Sequence, residues 1–426
     1  MRVLLIGSGG REYALALKIS KSSLLDKLFI MPGNPGTKQV GENIKINLSY
    51  SDKILQFCKD EKIDLVVIGP EQPLVDGLSD YLRSAGFKVF GPSQKAAQIE
   101  AHKSFAKHLM KKYKIPTADF IEFNSDEYEN AVSYLKKSKY PLVIKADGLA
   151  AGKGVLICNN YDEAEESLKE MFVDKVFGTS GEKIVIEEFM EGEEASIFAI
   201  TDGTDFTCLP SSQDHKRIGD NDTGKNTGGM GAYSPAPVVT NDLLSQIENK
   251  IIKPTLAGMK NEGYPFSGCL YAGVMITKEE SKVVEFNCRF GDPETQVVLP
   301  LLKGDFLKLL YSSANGKLDK NAVHYSEGSA VCVVAASKGY PDSYQKGFEI
   351  KGLDINEKII IIYHAGTDEV DEKIVTSGGR VLGVTAVLNK NDLIEAREKA
   401  YEAIRQIHFE GMYYRKDIAL RALNRY

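Results

Sequence analysis

The chain has 426 residues, a formal net charge of −6 and 43% hydrophobic residues. This length predicts two to four domains, and the composition is typical of a folded globular protein. The mild acidity argues against nucleic acid as a partner. No apolar run reaches the about 18 residues of a membrane span, and the N-terminal run at 3–6 is too short for a secretory signal. We therefore expect a cytoplasmic protein that does not bind a membrane.

Strand and helix signals alternate along the first hundred residues. Short apolar runs are followed each time by a turn rich in Gly or Pro, and they lie at 3–6, 28–31, 65–68 and 88–90. This pattern predicts a Rossmann-like parallel α/β sheet. Ligands bind beyond the carboxyl ends of such strands, so the four turns should line one crevice.

The pattern changes near residue 101, where a helix is predicted at 103–112. Strands are predicted at 141–145, 155–158, 183–187, 270–276 and 282–286, with a long polar loop at 211–237. A smaller α+β unit follows, with strands at 330–335, 358–363 and 380–386 and a helix at 392–407. We predict domains at 1–100, 101–325, with a mobile lid at about 117–190, and 326–426.

The first glycine turn, residues 7–10, lies between a strand and a helix, where backbone N–H groups can bind an anion. A nicotinamide-binding turn would need a third glycine at Glu12 and an acidic residue after the second strand, and both are missing. Gly9 and Gly10 therefore suit either phosphate binding or a tight packing turn.

A second glycine-rich segment, 145–154, carries Lys145 and Lys153 at its ends. It differs from a Walker A loop because only three residues separate Gly148 from Gly152, and Gly154 stands where a Ser or Thr would hold magnesium. A strand follows it instead of a helix. We predict a flexible hairpin that closes over a triphosphate.

An acidic segment at 186–194 follows another strand. Glu187 and Met190 are candidates for backbone contacts to adenine, Phe189 could pack on its face, and Glu194 could accept from ribose hydroxyls; Glu188 is a further candidate for nucleotide binding. The spacing alone favours a solvated acidic turn.

Alternate residues of the strand near 285 share one face, which holds Glu285, Asn287 and Arg289. A carboxylate and an amide oxygen two residues apart suit Mg²⁺, which also takes oxygens from substrate phosphates. The arginine suits a carboxylate or a transferring phosphoryl group. The following Gly-Asp-Pro-Glu, 291–294, is too polar for ordinary packing.

The polar loop at 211–237 holds further candidates. Asp214 suits a substrate ammonium, while Lys216 and Arg217 suit a phosphate. His215 is a candidate general base, although its charged neighbours suit electrostatic stabilisation better than proton transfer.

Several strings in this order resemble the ATP-grasp ligases and, more narrowly, the glycinamide ribonucleotide synthetase family. They are GGRE, GPE at 69–71, KADGLAAGKG, SQDHKR, NTGGMGAYSP and EFNCRFGDPE. The resemblance runs from end to end. It implies an ATP-grasp α+β fold for the middle domain, between the Rossmann-like domain and the small C-terminal α+β domain.

The resemblance implies that glycine, 5-phosphoribosylamine and ATP give glycinamide ribonucleotide, ADP and phosphate in purine biosynthesis. Glycine would first form glycyl phosphate, and the amine would then displace phosphate. ATP and Mg²⁺ or Mn²⁺ would be the cofactors. We expect small-molecule partners and a monomer or weak homodimer.

The resemblance also implies residue roles of three kinds: phosphate binding, metal binding and substrate binding. Lys103, Lys145 and Lys153 would bind the phosphates of ATP, and Glu285 and Asn287 would bind the metal. The substrates would be held by a third group: Gly9, Gly10, Glu71, Asp214, Lys216 and Arg289. Arg289, Lys145 and Asp214 would act most directly in catalysis.

Two departures from the family pattern are visible. Tyr13 stands where the family commonly has His, and Ala101-His102 precedes the retained Lys103. Two alternatives remain open: another ATP-grasp ligase with a different acid or amine, and a nicotinamide-dependent oxidoreductase built on the first domain.

Overall fold

A five-stranded parallel sheet, in the order β3-β2-β1-β4-β5, forms the first part of the computed structural model, which describes residues 1–150 and 154–423. Its strands are β1 (Arg2–Gly7), β2 (Lys27–Pro32), β3 (Glu42–Asn43), β4 (Leu65–Ile68) and β5 (Lys88–Phe90). The helices are α1 (Gly10–Ile19), α2 (Ser51–Asp60), α3 (Glu71–Val75), α4 (Leu78–Ser84) and α5 (Gln94–Ala101). The central strands are apolar on both faces and buried on both, as the sequence predicts.

The sequence also predicts one helix at 74–85, but the structure has the end of α3 and the whole of α4 there. Gly77 separates α3 from α4 with φ at +89°, a left-handed conformation that glycine adopts without a steric penalty. The apolar pattern of the sequence is therefore continuous from α3 to α4, and only Gly77 marks the point where the helix is interrupted.

The predicted lid is an antiparallel sheet in the order β6-β9-β7-β8, preceded by helix α6 (Lys103–Lys112). Its elements are β6 (Phe120–Asn124), α7 (Tyr128–Leu135), β7 (Leu142–Ala146), β8 (Val155–Cys158), α8 (Tyr161–Phe172) and β9 (Lys183–Glu188). The two helices and the sheet enclose their own apolar core. Gly152 and Lys153, at the tip of the predicted hairpin, lie outside the described residues.

The remainder of the middle region is built on a second antiparallel sheet, β11-β10-β16-β17. The strands are β10 (Glu193–Thr201), β11 (Phe206–Cys208), β12 (Gln213–Asp214), β13 (Arg217–Gly219), β14 (Thr223–Asn226), β15 (Gly231–Ser234), β16 (Gly268–Ile276), β17 (Ser281–Asn287), β18 (Lys303–Gly304) and β19 (Val323–His324). The helices are α9 (Asn241–Ile247), α10 (Lys253–Asn261), α11 (Thr295–Val298) and α12 (Phe306–Ala314). None of the helices in the described residues is both long and apolar enough to span a membrane.

The last part of the chain shares a sheet with the middle region. Its elements are β20 (Ser329–Ala336), β21 (Ile360–His364), β22 (Thr367–Val370), β23 (Lys373–Thr376), β24 (Arg380–Leu388), α13 (Leu393–Ile404) and α14 (Leu420–Leu423). Strands β22 and β23 form a separate two-stranded sheet. The sheet order is β12-β15-β20-β24-β21, and β15 pairs antiparallel with β20. The prediction of one irregular loop at 211–237 is therefore wrong, because four short strands lie there and two of them join a sheet across the predicted boundary at 326.

Arg415 joins the C-terminal segment to this shared region. Its side chain is fully buried and donates to both carboxylate oxygens of Asp417, at 2.8 and 2.6 Å. It also donates to Asp222 at 2.8 Å and to the Arg217 carbonyl at 3.0 Å. The guanidinium thereby fixes residues 217–222 against the end of the chain.

Replacing this buried guanidinium should destabilise the fold. We expect Arg415→Met to lower the free energy of unfolding by about 3 kcal/mol, because two carboxylates lose their shared partner. Denaturant unfolding followed by circular dichroism measures the change. Lys225→Ala, which removes the exposed pair with Asp342, is the matched control and should have a much smaller effect. Equal effects of the two changes would contradict this assignment.

Candidate active site

A cleft of about 470 Å³, here called the main cleft, opens between the three parts of the chain, and a side pocket of about 280 Å³ adjoins it. Ten of the residues named from the sequence line the main cleft: Glu71, Lys103, Lys145, Gly154, Glu187, Asp214, Lys216, Glu285, Asn287 and Arg289. Phe189, Met190, Glu188 and Glu194 line the side pocket. Residues more than 200 positions apart in sequence are thus brought to one place.

The carboxylate of Glu187 links two buried lysines. It lies 2.9 Å from the Lys145 ammonium and 3.0 Å from that of Lys107. All three side chains are nearly inaccessible to solvent. Burial lowers the pKa of Lys107 to about 8 despite the nearby carboxylate. The sequence analysis missed Lys107, because a lysine on a lysine-rich helix looks solvent-exposed.

The adenine contact predicted for Glu187 involves its backbone, and the structure gives its side chain these ion pairs in addition. The residue lies inside the lid sheet, opposite Phe120 on one side and Val143 on the other. Its side chain, and not only its backbone, faces the cleft. Phe189 and Met190 follow the end of β9, and no strand in the part of the chain that the structure describes pairs with them, so their backbone groups remain available to a ligand.

Apolar side chains cover much of the side pocket, with a charged group of three side chains at one end. Lys216 lies 2.6 Å from the Glu194 carboxylate and 3.2 Å from that of Asp214. Burial works against the charge of Lys216, but the two carboxylates raise its pKa well above the usual value. The apolar part suits a planar base, and the carboxylates suit hydroxyl or ammonium donors. The apolar lining consists of Val143, Val155, Ile157, Phe189, Met190, Met275 and Val284.

Strand β17 places Glu285 and Asn287 on the main cleft while Phe286 and Cys288 enter the core. Among the described residues, neither the Glu285 carboxylate nor the Asn287 amide has a hydrogen-bond or ion-pair partner. Two unengaged oxygen donors on one strand face suit Mg²⁺ or Mn²⁺ with phosphate oxygens as further ligands. No group of three or more His, Cys, Asp or Glu with metal-site geometry occurs in residues 1–150 and 154–423.

Arg289 lies between two carboxylates, 3.0 Å from Glu100 and 3.3 Å from Glu71. Glu71 also faces Arg11 at 3.9 Å. Burial alone would raise the pKa of Glu71, but the charges of Arg289 and Arg11 lower it to about 2. Glu100 was missed by sequence analysis, since nothing on α5 marks it as the partner of a residue 189 positions later.

The first glycine turn packs against the Gly-Asp-Pro-Glu turn at 291–294. A Cβ at Gly10 would lie 2.7 Å from the Gln296 amide nitrogen, and one at Gly9 would lie 3.7 Å from Asp292. Glu12 folds back to accept from the Gly9 N–H at 2.7 Å and occupies the space beside Gly7 that a dinucleotide phosphate would need. Gly9 and Gly10 do not themselves line the main cleft.

The base of the lid hairpin is attached to the start of α6. Asp147 accepts from the Ser104 N–H at 2.6 Å and faces the His102 ring at 3.1 Å. The hydrogen bond to Asp147 raises the pKa of His102. Lys103 donates to the Gly148 carbonyl at 3.3 Å. Lys103, at the edge of the main cleft, is thereby held where the hairpin begins.

Comparison with known proteins agrees with this architecture. Models of the phosphoribosylglycinamide synthetase N domain, ATP-grasp (A) domain and C domain match residues 1–100, 101–295 and 330–421. The chain belongs to the phosphoribosylglycinamide synthetase family. The resemblance stated from the sequence strings is thus confirmed, as is the α/β fold class.

Individual relatives cover nearly the whole chain. It is 49% identical over 419 residues to the phosphoribosylamine–glycine ligase of Caldanaerobacter subterraneus, covering 98% of this chain and 99% of that protein. It is 48% identical over 427 residues to the trifunctional purine biosynthetic protein adenosine-3 of Gallus gallus, covering 99% of this chain and 42% of that protein. The crystal structure of phosphoribosylamine–glycine ligase from Thermotoga maritima superimposes with a TM-score of 0.85 and 37% identity, covering 98% and 100% of the two chains.

The lowered pKa of Glu71 predicts how the free energy of unfolding depends on pH. Its folded-state pKa lies below its unfolded value, so the ion pairs with Arg289 and Arg11 stabilise the fold above about pH 4.5 and lose that effect as pH falls toward 2. We expect Glu71→Gln to lower the free energy of unfolding by about 2 kcal/mol at pH 6, with the difference shrinking below pH 4.5.

Denaturant unfolding at several pH values measures this difference. Glu369→Gln, which removes the surface pair with Lys38, is the control and should have a smaller effect because solvent screens that pair. A Glu71→Gln difference that stays constant from pH 6 to pH 3 would contradict the ionic assignment.

Proposed function

We propose that this protein ligates glycine to 5-phosphoribosylamine with ATP, giving glycinamide ribonucleotide, ADP and phosphate in purine biosynthesis. The observation that carries the proposal is the full-length match to a phosphoribosylamine–glycine ligase, which extends through all three parts of the chain. The main cleft supports it, because it is large, enclosed by those three parts and lined with both cations and carboxylates.

The nucleotide is proposed to lie across the side pocket and the main cleft. Phe189 and the apolar wall would pack on adenine, the backbone at Met190 would meet its edge, and Glu194 would accept from ribose. The phosphates would then extend toward Lys145 and Lys103 in the main cleft. The hairpin bearing Gly148 and Gly154 would cover them; Gly152 and Lys153, also predicted to contact the nucleotide, lie outside the described residues.

The metal is proposed to bind Glu285 and Asn287, because both line the cleft and their side chains form no hydrogen bond or close ion pair within residues 1–150 and 154–423. A divalent ion bound there would neutralise charge on the phosphates. Mg²⁺ and Mn²⁺ both fit this pair of ligands.

Glycine is proposed to bind beside the phosphates, with its ammonium at Asp214 and its carboxylate at Arg289. Attack of that carboxylate on the γ-phosphorus would give glycyl phosphate and ADP. This step depends on positioning and charge neutralisation, which Lys145, Lys216 and Arg289 supply in a site screened from water. Closing the lid would protect the acyl phosphate from hydrolysis.

The phosphoribosylamine is proposed to lie on the side of the first domain. Glu71 lines the main cleft there, and the Gly9–Gly10 turn packs beneath the 291–294 turn. The amine would attack the glycyl carbonyl from this side. The partners are thus small molecules; a monomeric or weakly dimeric state and a cytoplasmic location remain predictions.

Glycine dependence tests the proposed reaction. The protein is incubated with ATP, Mg²⁺, ribose 5-phosphate and ammonia; the last two form 5-phosphoribosylamine in solution. We expect ADP release only when glycine is added, together with glycinamide ribonucleotide that mass spectrometry detects. Omitting ammonia is the control for the amine. Equal turnover with bicarbonate or D-alanine in place of glycine would show a different ATP-grasp activity.

Removing the metal carboxylate tests the site. We expect Glu285→Ala to lose measurable turnover while keeping its fold, because the side chain faces the cleft and holds no other described residue in place. Mg²⁺-ATP should raise the melting temperature of the unmodified protein, NADH should not, and the variant should lose the Mg²⁺-dependent part of the shift. Glu280→Ala, in the exposed turn before the same strand, is the control. Near-normal activity of Glu285→Ala would refute the metal assignment.

A further inference from the structure

Glu294 ends the Gly-Asp-Pro-Glu turn and takes no part in the reaction steps above. It is only 4% exposed, yet it lines the main cleft together with Asp214 and Lys216. A carboxylate in such a position requires strong compensation for lost hydration. Its surroundings therefore show whether the protein keeps it charged.

Two hydroxyl groups hold one oxygen of this carboxylate. Oε1 accepts from the Tyr271 hydroxyl at 3.0 Å and from the Ser196 hydroxyl at 3.3 Å, and these hydroxyls lie 2.9 Å from each other. Oε2 lies against Gly291, where a Cβ would be only 2.7 Å away. Glycine at 291 thus leaves room for a carboxylate whose orientation is fixed from both sides.

No arginine or lysine forms an ion pair with Glu294 among the described residues. Lys216 is already engaged by Asp214 and Glu194. Burial, together with the negative charge of Asp214, raises the pKa of Glu294 to about 7, while Lys216 opposes the change. The group is therefore balanced between its acid and base forms near neutral pH, as a general base requires.

Glu294 lines the main cleft together with Asp214 and Arg289, the proposed glycine ligands. Asp292, two residues earlier in the same turn, also lines the cleft, pairs with Arg380 at 3.1 Å and lies near Gly9 of the first domain. The turn therefore brings the Glu294 carboxylate into the cleft beside the proposed glycine site, on a segment that contacts the first domain.

We propose that Glu294 is the general base of the second step, accepting a proton from the attacking amine. The inference rests on the proposed function. The amine nitrogen forms a bond to the glycyl carbonyl carbon, and the bond from that carbon to the phosphate oxygen breaks with its electron pair leaving on phosphate. One N–H proton passes to the Glu294 carboxylate, which later returns it to the released phosphate or to water.

The first test separates the two chemical steps in Glu294→Gln. Hydroxylamine is a strong nucleophile that is unprotonated at neutral pH, so it can trap glycyl phosphate as glycyl hydroxamate without a protein base. We expect the variant to form the hydroxamate close to the wild-type rate, while kcat for glycinamide ribonucleotide falls by about 100-fold or more. Loss of both products, or retention of both, would overturn the assignment.

The second test uses the pH dependence of kcat at saturating substrates. In the wild type, kcat should fall as pH drops through about 7, because Glu294 becomes protonated. Tyr271→Phe removes a hydrogen bond that stabilises the carboxylate, so the fall should move to higher pH. The charges of Asp214, Lys216, Arg289 and Arg380 also act on the Glu294 carboxylate, but Glu294→Gln alone should abolish this ionisation from the profile.

These experiments separate failure of the general-base role from failure of the proposed ligase function. If the wild type shows no glycine-dependent ADP release, the proposed function fails and the inference fails with it. If the wild type is active but Tyr271→Phe leaves the pH profile unmoved, and Glu294→Gln retains the same limb, Glu294 serves only to support Tyr271. That result would overturn the general-base role while leaving the ligase assignment intact.

Discussion

A charge removed from water is stabilised by an opposite charge, and such pairs organise most of the interior of the main cleft. Glu187 holds Lys107 and Lys145, and Glu71 and Glu100 hold Arg289. Because each of these cations is already paired, the cleft can carry its positive charges without a bound nucleotide. A phosphate that bound at these cations, as proposed, would exchange partners with the carboxylates instead of neutralising isolated charges.

These pairings also fix the side chains in place before a ligand arrives. Lys145 and Glu187 lie on neighbouring strands β7 and β9 of the lid, and Lys107 reaches them from α6. The lid sheet and the helix beneath it are therefore connected through a buried carboxylate. Preorganised charges of this kind stabilise developing negative charge without further reorganisation.

Local geometry explains what the sequence could predict. The alternation of a strand places Glu285, Asn287 and Arg289 on one face, and the parallel order of β1, β2, β4 and β5 brings their turns to one edge. Both follow from short-range periodicity. The full set of sequence strings then predicted the family, and the family models confirmed it.

Tertiary pairing explains what the sequence could not predict. Glu100 and Lys107 lie on helices whose patterns resemble exposed surfaces, and their roles arise from partners far along the chain. The strands at 213–214 and 231–234 are too short to show a period, and they exist because β20 lies beside β15. The carboxylate of Glu294 likewise gains its properties from Tyr271 and Ser196 on other strands.

The sharing of one sheet between the middle region and the end of the chain limits how this protein can be divided. Strand β15 lies between β12 and β20, so it has hydrogen-bonded neighbours on both edges. A chain ending before β20 would expose one edge of β15, together with the side chain of Tyr233, which is buried in the C-terminal core. Unpaired edges of this kind invite association with other chains. The part of the chain from β20 onward therefore completes a sheet that begins in the middle region, and it cannot be removed without leaving that sheet open.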